Sequence, residues 1–240
     1  MTTQTQRTFR ATMGFTLVEL LIVISIIAVL AALIFPAGAA IKRLSTRKKV
    51  ESERALIETA IESYHAKLGH YPPDNPVAVS TSQSNALNQL YFELMGTEPD
   101  PNDPNYIRTL DASTRIKISD FSAIFGANNV AGFVNFTRDR SGDGAVAKNC
   151  FSGTGLKSSQ YDDAGLGLGE RLLVCSEKWP ADLGNIIGGK AGTNPWRYRS
   201  TNPAHNQNSY DLWVDVLIGG KTNRISNWSD SPQTVYGPYP

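Results

Sequence analysis

The run Phe15–Phe35, FTLVELLIVISIIAVLAALIF, constrains this chain more than any other feature. As a helix its 21 residues would rise about 31 Å, close to the hydrocarbon thickness of a bilayer. A secretory signal peptide has a shorter apolar part, roughly 7–15 residues, before a small-x-small cleavage site. Ala37-Gly38-Ala39 imitates such a site, but the run before it is too long. A plain signal anchor fits the length and leaves Glu19 unexplained. A carboxylate in an apolar helix costs about 2.5 kcal/mol or more at mid-membrane and less near the interface. It therefore needs a partner, and nothing else in the run is charged. A cut before Phe15 would expose an α-ammonium one helical turn from Glu19. On a neighbouring chain, that amine has the right charge.

The remaining sequence is polar and rich in Gly, Asn, Ser and Pro. Without the front end, roughly 170 residues remain, which suits one globular domain with an adequate core. The net charge of +1 gives no overall field toward nucleic acid or acidic substrates. The two cysteines, Cys150 and Cys175, form no C-x-x-C, and the three histidines have no zinc-site spacing. In an exported domain the two cysteines can pair, adding about 3 kcal/mol in the chain-entropy model. Two buried free thiols are the alternative.

Gly14-Phe15-Thr16-Leu17-Val18-Glu19-Leu20-Leu21-Ile22-Val23-Ile24 resembles the prepilin N-terminal cleavage and methylation motif, shared by type IV pilins and the pseudopilins of type II secretion. The likeness runs from Gly14 through Pro36 without a gap. It implies cleavage between Gly14 and Phe15 by a membrane-embedded aspartyl peptidase, which also N-methylates Phe15. It implies that Glu19, with Thr16, guides filament assembly. The leader Met1–Gly14 is short and polar, with Arg7 and Arg10 and no acid. Glycine before the cut allows close approach to the backbone. A methylated amine stays protonated and can still pair with Glu19. Pairing removes the cost of a lone buried charge, and only one axial stagger achieves it.

Pro36, also present in the family, predicts a kink. Beyond it, Ile41, Leu44, Val50, Ile57, Ile61, Tyr64 and Leu68 recur at helical spacing. Gly69 is placed to stop the helix. The pattern predicts a membrane segment over 15–36 and an amphipathic stem over 37–69. Heptads are not sustained, which argues against a coiled coil. Lys42, Arg43, Arg47, Lys48 and Lys49 follow the membrane run, against two basic residues in the leader. A positive-inside count puts the C-terminal side in the cytoplasm, whereas the prepilin likeness puts it in the periplasm. Long domains translocate despite flanking charge, and the motif is the more specific signal. The basic cluster is read as a solvated stripe able to meet lipid headgroups or acidic faces of neighbouring subunits.

In the predicted head, residues 70–240, Tyr64, Gly69, Tyr71 and Pro72 resemble the segment that closes the stem in major, G-type pseudopilins. Asn194-Pro195-Trp196-Arg197-Tyr198, Ser209-Tyr210-Asp211-Leu212-Trp213 and Ile225-Ser226-Asn227-Trp228 resemble that family's last strands. Its members carry an Asp-Gly-rich calcium loop before the final match. Here Val216–Thr222 stands in its place, so Asp211 and Asp215 are the remaining calcium candidates and no other cofactor is expected. The long middle, about 77–192, is an insertion. Within it Ser84–Met95 reads as a helix, Glu98–Asn105 as loop, and Val130–Thr137 and Arg171–Ser176 as strands; Tyr210–Ile218 alternates as a strand.

Enzyme-like fragments do not hold together. Asp139–Gly144 begins like a calcium loop, but its twelfth position is Cys150 where glutamate is needed. Gly184–Ala191 approaches a P-loop and lacks the final hydroxyl. His65, His70 and His205 read as surface residues. The expectation is an α+β, pilin-like fold: a long N-terminal helix, half membrane anchor and half amphipathic, packed on a small antiparallel sheet. The resemblance implies a non-enzymatic subunit of a type II secretion pseudopilus in the bacterial inner membrane, its head in the periplasm. Its partners would be further copies in a filament, the prepilin peptidase, an inner-membrane assembly platform, minor pseudopilins and membrane lipid. No nucleic acid is expected. The rivals are a type IV pilin for adhesion, motility or DNA uptake, and a binding or enzymatic domain on a prepilin anchor.

Overall fold

The computed structural model describes residues 14–75, 86–125, 132–138, 145–151, 155–180, 183 and 190–235, with the backbone alone at 33–37. It divides into two units, Met1–Ser45 and Thr46–Pro240. One helix, α1 (Leu17–Leu68), contributes residues to both.

In the first unit, α1 presents apolar side chains on every side. The large ones between Phe15 and Leu30 are 44–78 % exposed. Among the described residues no helix is long and apolar enough to cross a membrane; the predicted span continues through 33–35, whose side chains lie outside those described. The backbone is helical through Pro36, so the proline at which a kink is predicted does not end the helix.

In the second unit, α1 has one buried face. Val50, Ile57, Ala60, Ile61 and Tyr64 are buried, at helical spacing. This is why the boundary falls at Ser45–Thr46, inside the predicted stem: from Val50 onward the helix is part of the head's own core. The helix ends at Leu68, and Gly69 follows with φ +78°, as its position predicts.

The head is built of small antiparallel sheets. Strands β1 (Thr97–Pro99), β2 (Tyr106–Thr109) and β3 (Arg115–Lys117) form the first, in that order. A pair, β4 (Tyr161–Asp162) and β5 (Leu172–Leu173), forms the second. The largest runs β6 (Arg197–Arg199), β7 (Asp211–Ile218), β8 (Lys221–Ser226) and β9 (Ser229–Thr234), each antiparallel to the next. Leu212, Val214 and Val216 alternate on the buried face of β7 and share one core with Ile57, Ile61 and Tyr64 of α1. The β7–β8 turn is Gly219–Gly220, both at positive φ, the two-residue geometry that matches strand twist. Two short helices, α2 (Leu90–Met95) and α3 (Phe121–Phe125), complete the core.

Several predicted elements are shifted. The helix expected over Ser84–Met95 starts at Leu90; Asn88 Oδ1 accepts the Leu90 amide while its Nδ2 donates to Trp196 O, which holds residue 88 out of the helix. The expected loop from Glu98 loses Glu98 and Pro99 to β1, because Glu98 pairs across the ladder with Arg108. Of the strand expected over Val130–Thr137, the described part holds only an isolated bridge, Phe136 to Thr97. The strand expected over Arg171–Ser176 is confined to β5 plus a bridge from Val174 to Pro195. The long strand at Tyr210–Ile218 is present as β7.

Gly96, at φ +70°, closes α2 where a Cβ would meet Lys148 O at 2.8 Å and Leu110 Cδ1 at 2.9 Å. Gly220 also has positive φ but open space around it. Gly96→Ala is expected to lower the unfolding free energy by roughly 2–4 kcal/mol and Gly220→Ala by about 1 kcal/mol. Denaturant titration of the two variants checks this ordering.

Candidate functional site

Two constellations of polar groups stand in apolar surroundings, one at the start of α1 and one where its buried half meets the head. At the first, Thr16 and Glu19 form a reciprocal cap. The Glu19 amide donates to Thr16 Oγ1 at 3.2 Å, and the Thr16 amide and hydroxyl donate to Glu19 Oε2 at 2.9 and 2.7 Å. This is the capping box expected when Thr precedes a helix and Glu stands three residues later. Glu19 Oε1 takes no part in it. The box fixes the backbone just after Phe15, which is 77 % exposed, and it satisfies amides that begin a helix with no preceding turn.

The second constellation is Glu93, on α2. It is fully buried and accepts from Tyr64 Oη of α1 at 3.1 Å, from the Val134 amide at 2.8 Å and from the Asn135 amide at 2.9 Å. Burial pushes its carboxyl above the usual range, opposed by these donors. Asn135 in turn donates to Glu93 O and Lys148 O and accepts the Lys148 amide. Sequence reading passed over Glu93, although the signal that singled out Glu19 was present. It too is an acid between apolar neighbours, Tyr91-Phe92 and Leu94-Met95.

The segments that resemble pseudopilin strands meet around the stem's end. Tyr198 Oη and Ser200 Oγ donate to Pro72 O, both at 2.8 Å. Asp74 accepts the Ser200 and Thr201 amides and the Thr201 hydroxyl. The turn after Gly69 is thus tied directly to β6. Asn194 donates to Asp215 O and Glu177 O, and Asn227 links Leu212 and Tyr210 across the hairpin.

The calcium candidates are not brought together. Asp211 and Asp215 lie four residues apart on one strand, about 13 Å by strand rise. Asp211 accepts the amides of Ala204, His205 and Asn206. Asp215, wholly buried, is held by Arg224 at 2.8 and 2.9 Å, with Arg197 at 3.7 Å. Among the described residues no group of three or more His, Cys, Asp or Glu converges. His65 stacks on Tyr71 and His205 on Trp228. The fragment Asp139–Gly144 and most of Gly184–Ala191 lie outside the described residues.

Of the two alternatives for the cysteines the structure has the second: Cys150 and Cys175 are buried free thiols, and the possible disulfide is not formed. Cys150 lies against Ser63 of α1 and Cys175 against Glu53. Those positions are ten residues apart on the helix, about 15 Å, whereas bridged cysteines need Cα atoms within roughly 7 Å. Burial raises both thiols above the usual range, for Cys175 with the Glu53 carboxylate adding to it.

The prokaryotic N-terminal methylation motif matches residues 14–35. A curated protein, the type II secretion system core protein G of Escherichia coli (strain K12), is 32% identical over 98 residues, covering 38% of this chain and 68% of that protein. No solved structure matches the chain.

Two outcomes follow from this geometry. Alkylation after denaturation without reductant is expected to add two adducts per chain by intact mass, and alkylation of the native protein none; a single oxidised species would contradict the free thiols. Arg224→Ala, which strips the bidentate partner from a buried carboxylate, is expected to cost about 3 kcal/mol, measured by denaturant unfolding.

Proposed function

Because this chain belongs to the G-type pseudopilin-like prepilins, we propose that it is a structural subunit of a type II secretion pseudopilus. In this reading it is stored in the inner membrane by its apolar segment, with its head in the periplasm. It then adds to a helical filament whose growth drives export. It catalyses no reaction.

The observation that carries the reading is the pairing of two features at the start of α1. The apolar side chains there are exposed on all sides, so the segment needs an apolar surround, lipid before assembly and neighbouring copies after it. Within it sits one carboxylate with a spare oxygen. Cleavage between Gly14 and Phe15 would leave the Phe15 ammonium just outside the Thr16–Glu19 box. Glu19 Oε2 is engaged by Thr16, which leaves Oε1 for the ammonium of an adjacent subunit. An ion pair in that setting offsets the desolvation of both groups and selects one stagger. The capping box pre-orients the glutamate, so less freedom is lost when the pair forms. The likeness to core protein G favours secretion over the type IV pilus.

Intact mass and N-terminal analysis of the membrane-extracted protein are expected to show a chain beginning at N-methyl-Phe15. Glu19→Val is expected to be processed and inserted normally but to form no filaments by electron microscopy of an overproducing strain. A chain retaining Met1 where prepilin peptidase is active, or normal filaments from Glu19→Val, would refute the proposal.

A further inference from the structure

We propose that the stretch of α1 around Lys42 and Arg43 docks on anionic phospholipid headgroups, on the membrane face from which the head projects. This rests on the membrane reading of the apolar segment above.

Five cations stand between Glu19 and Glu51, and no acid does. The structure divides them into two sets. Arg47 and Lys48 both bind Glu51, at 2.6 and 2.9 Å, and Lys49 binds Glu177 at 2.9 Å. Those three belong to the head's own ion pairs. Lys42 and Arg43 are exposed and make no ion pair or hydrogen bond among the described residues. The nearest acid on the C-terminal side of the helix, Glu51, is already shared by two cations. Two charges are thus left without a partner among the described residues.

Position supplies the second argument. Lys42 follows Phe35, the last residue of the apolar run, by seven residues, about 10 Å of helix. The headgroup layer on each side of the hydrocarbon is roughly 5–7 Å thick. A lysine or arginine stem can reach back several ångströms toward it. The cations therefore stand at the depth of lipid phosphates, beyond the apolar core.

The third argument is the companion side chains. Ile41 is 67 % exposed and Leu44 57 %. One turn apart, they lie on one side of the helix, with Lys42 and Arg43 turned away from them. Apolar and cationic side chains on opposite sides of one turn suit the interfacial layer, where lysine and arginine stems lie along apolar surface while their charges meet headgroups. The same contact gives the basic cluster a role that a positive-inside count cannot, because it acts after translocation.

The test uses the full processed chain in vesicles of phosphatidylcholine, with and without phosphatidylglycerol. A membrane-impermeant amine-reactive reagent is applied, and acylation is read by mass spectrometry at Lys42 and at Lys221, an exposed lysine at the β7–β8 turn. Phosphatidylglycerol is expected to slow acylation of Lys42 roughly fivefold relative to Lys221, with recovery at high salt. Chain retained in both vesicle types after an alkaline wash, with Lys42 equally reactive in both, overturns this inference alone. Chain washed out of both vesicle types overturns the membrane reading and this inference with it.

Discussion

The contact between Tyr64 and Glu93 is the joint on which the head depends. A carboxylate with no exposure must be given donors or be neutralised. Here three donors come from two separate stretches: the hydroxyl of Tyr64 on the stem helix, and the amides of two successive residues in the 132–138 segment. Burial and hydrogen bonding pull its protonation in opposite directions, and the three donors require acceptors on both oxygens. Apolar packing is non-directional, so by itself it opposes a slip of α2 along α1 less sharply than a hydrogen bond does. A directional bond from Tyr64 does not permit that slip. The same logic recurs at Asp74, which ties the turn after the stem to β6, and at Asp211, which gathers the loop before β7. The head's irregular segments are held largely by buried carboxylates filled with backbone amides.

What could be read from the sequence was what periodicity or local chemistry encodes. The 3.6-residue spacing of Val50, Ile57, Ile61 and Tyr64 marks a buried face, and Gly69 marks its end, because both signals are local. The alternation through β7 was legible for the same reason. The short strands of the middle were not, because two- or three-residue strands carry no period. Their existence depends on partners far along the chain, such as Arg108 for Glu98. The start of α2 was misplaced because Asn88 is claimed by Trp196, 108 residues away. The two cysteines offered a count but no distance. Only the stem, acting as a ruler between Ser63 and Glu53, shows that they stand too far apart to bridge. Glu93 was missed for a different reason: its apolar context is short, and short apolar runs do not stand out against a membrane segment.

The hairpin β7–β8 shows how a buried charge is accommodated without a metal-sized cluster of acids. Asp215 and Arg224 face each other across the ladder, so the bidentate pair is also a cross-strand pair. With Arg197 on the other flank, the carboxylate meets guanidinium groups from both neighbouring strands. The pair sits three ladder positions from Ile218–Lys221, the pair that flanks the Gly219–Gly220 turn, and it pins register where the turn alone would have to do so. A one-residue slip would carry Asp215 into the apolar face occupied by Val214 and Val216, which the core would not tolerate.

The distribution of polar groups along α1 bears on how a subunit could leave lipid for a filament. Acyl chains and the apolar sides of neighbouring helices are equally oily, so the hydrophobic effect does not favour one over the other. The difference must come from polar groups. Glu19, unpaired in lipid except for its own cap, gains an ammonium in the proposed filament. In the headgroup proposal Lys42 and Arg43 would work in the opposite sense: contacts made before assembly would be given up on extraction. The two ends of the segment therefore set the transfer against each other. On these two proposals, one would hold the subunit in the membrane and the other would favour its insertion beside a neighbour of correct stagger. On the same proposals, a subunit that met the wrong stagger would lose the headgroups and gain no ion pair, which would favour its return to the bilayer. Discrimination of this kind needs no catalysis and no large interface, only a charge at each end of an otherwise featureless helix.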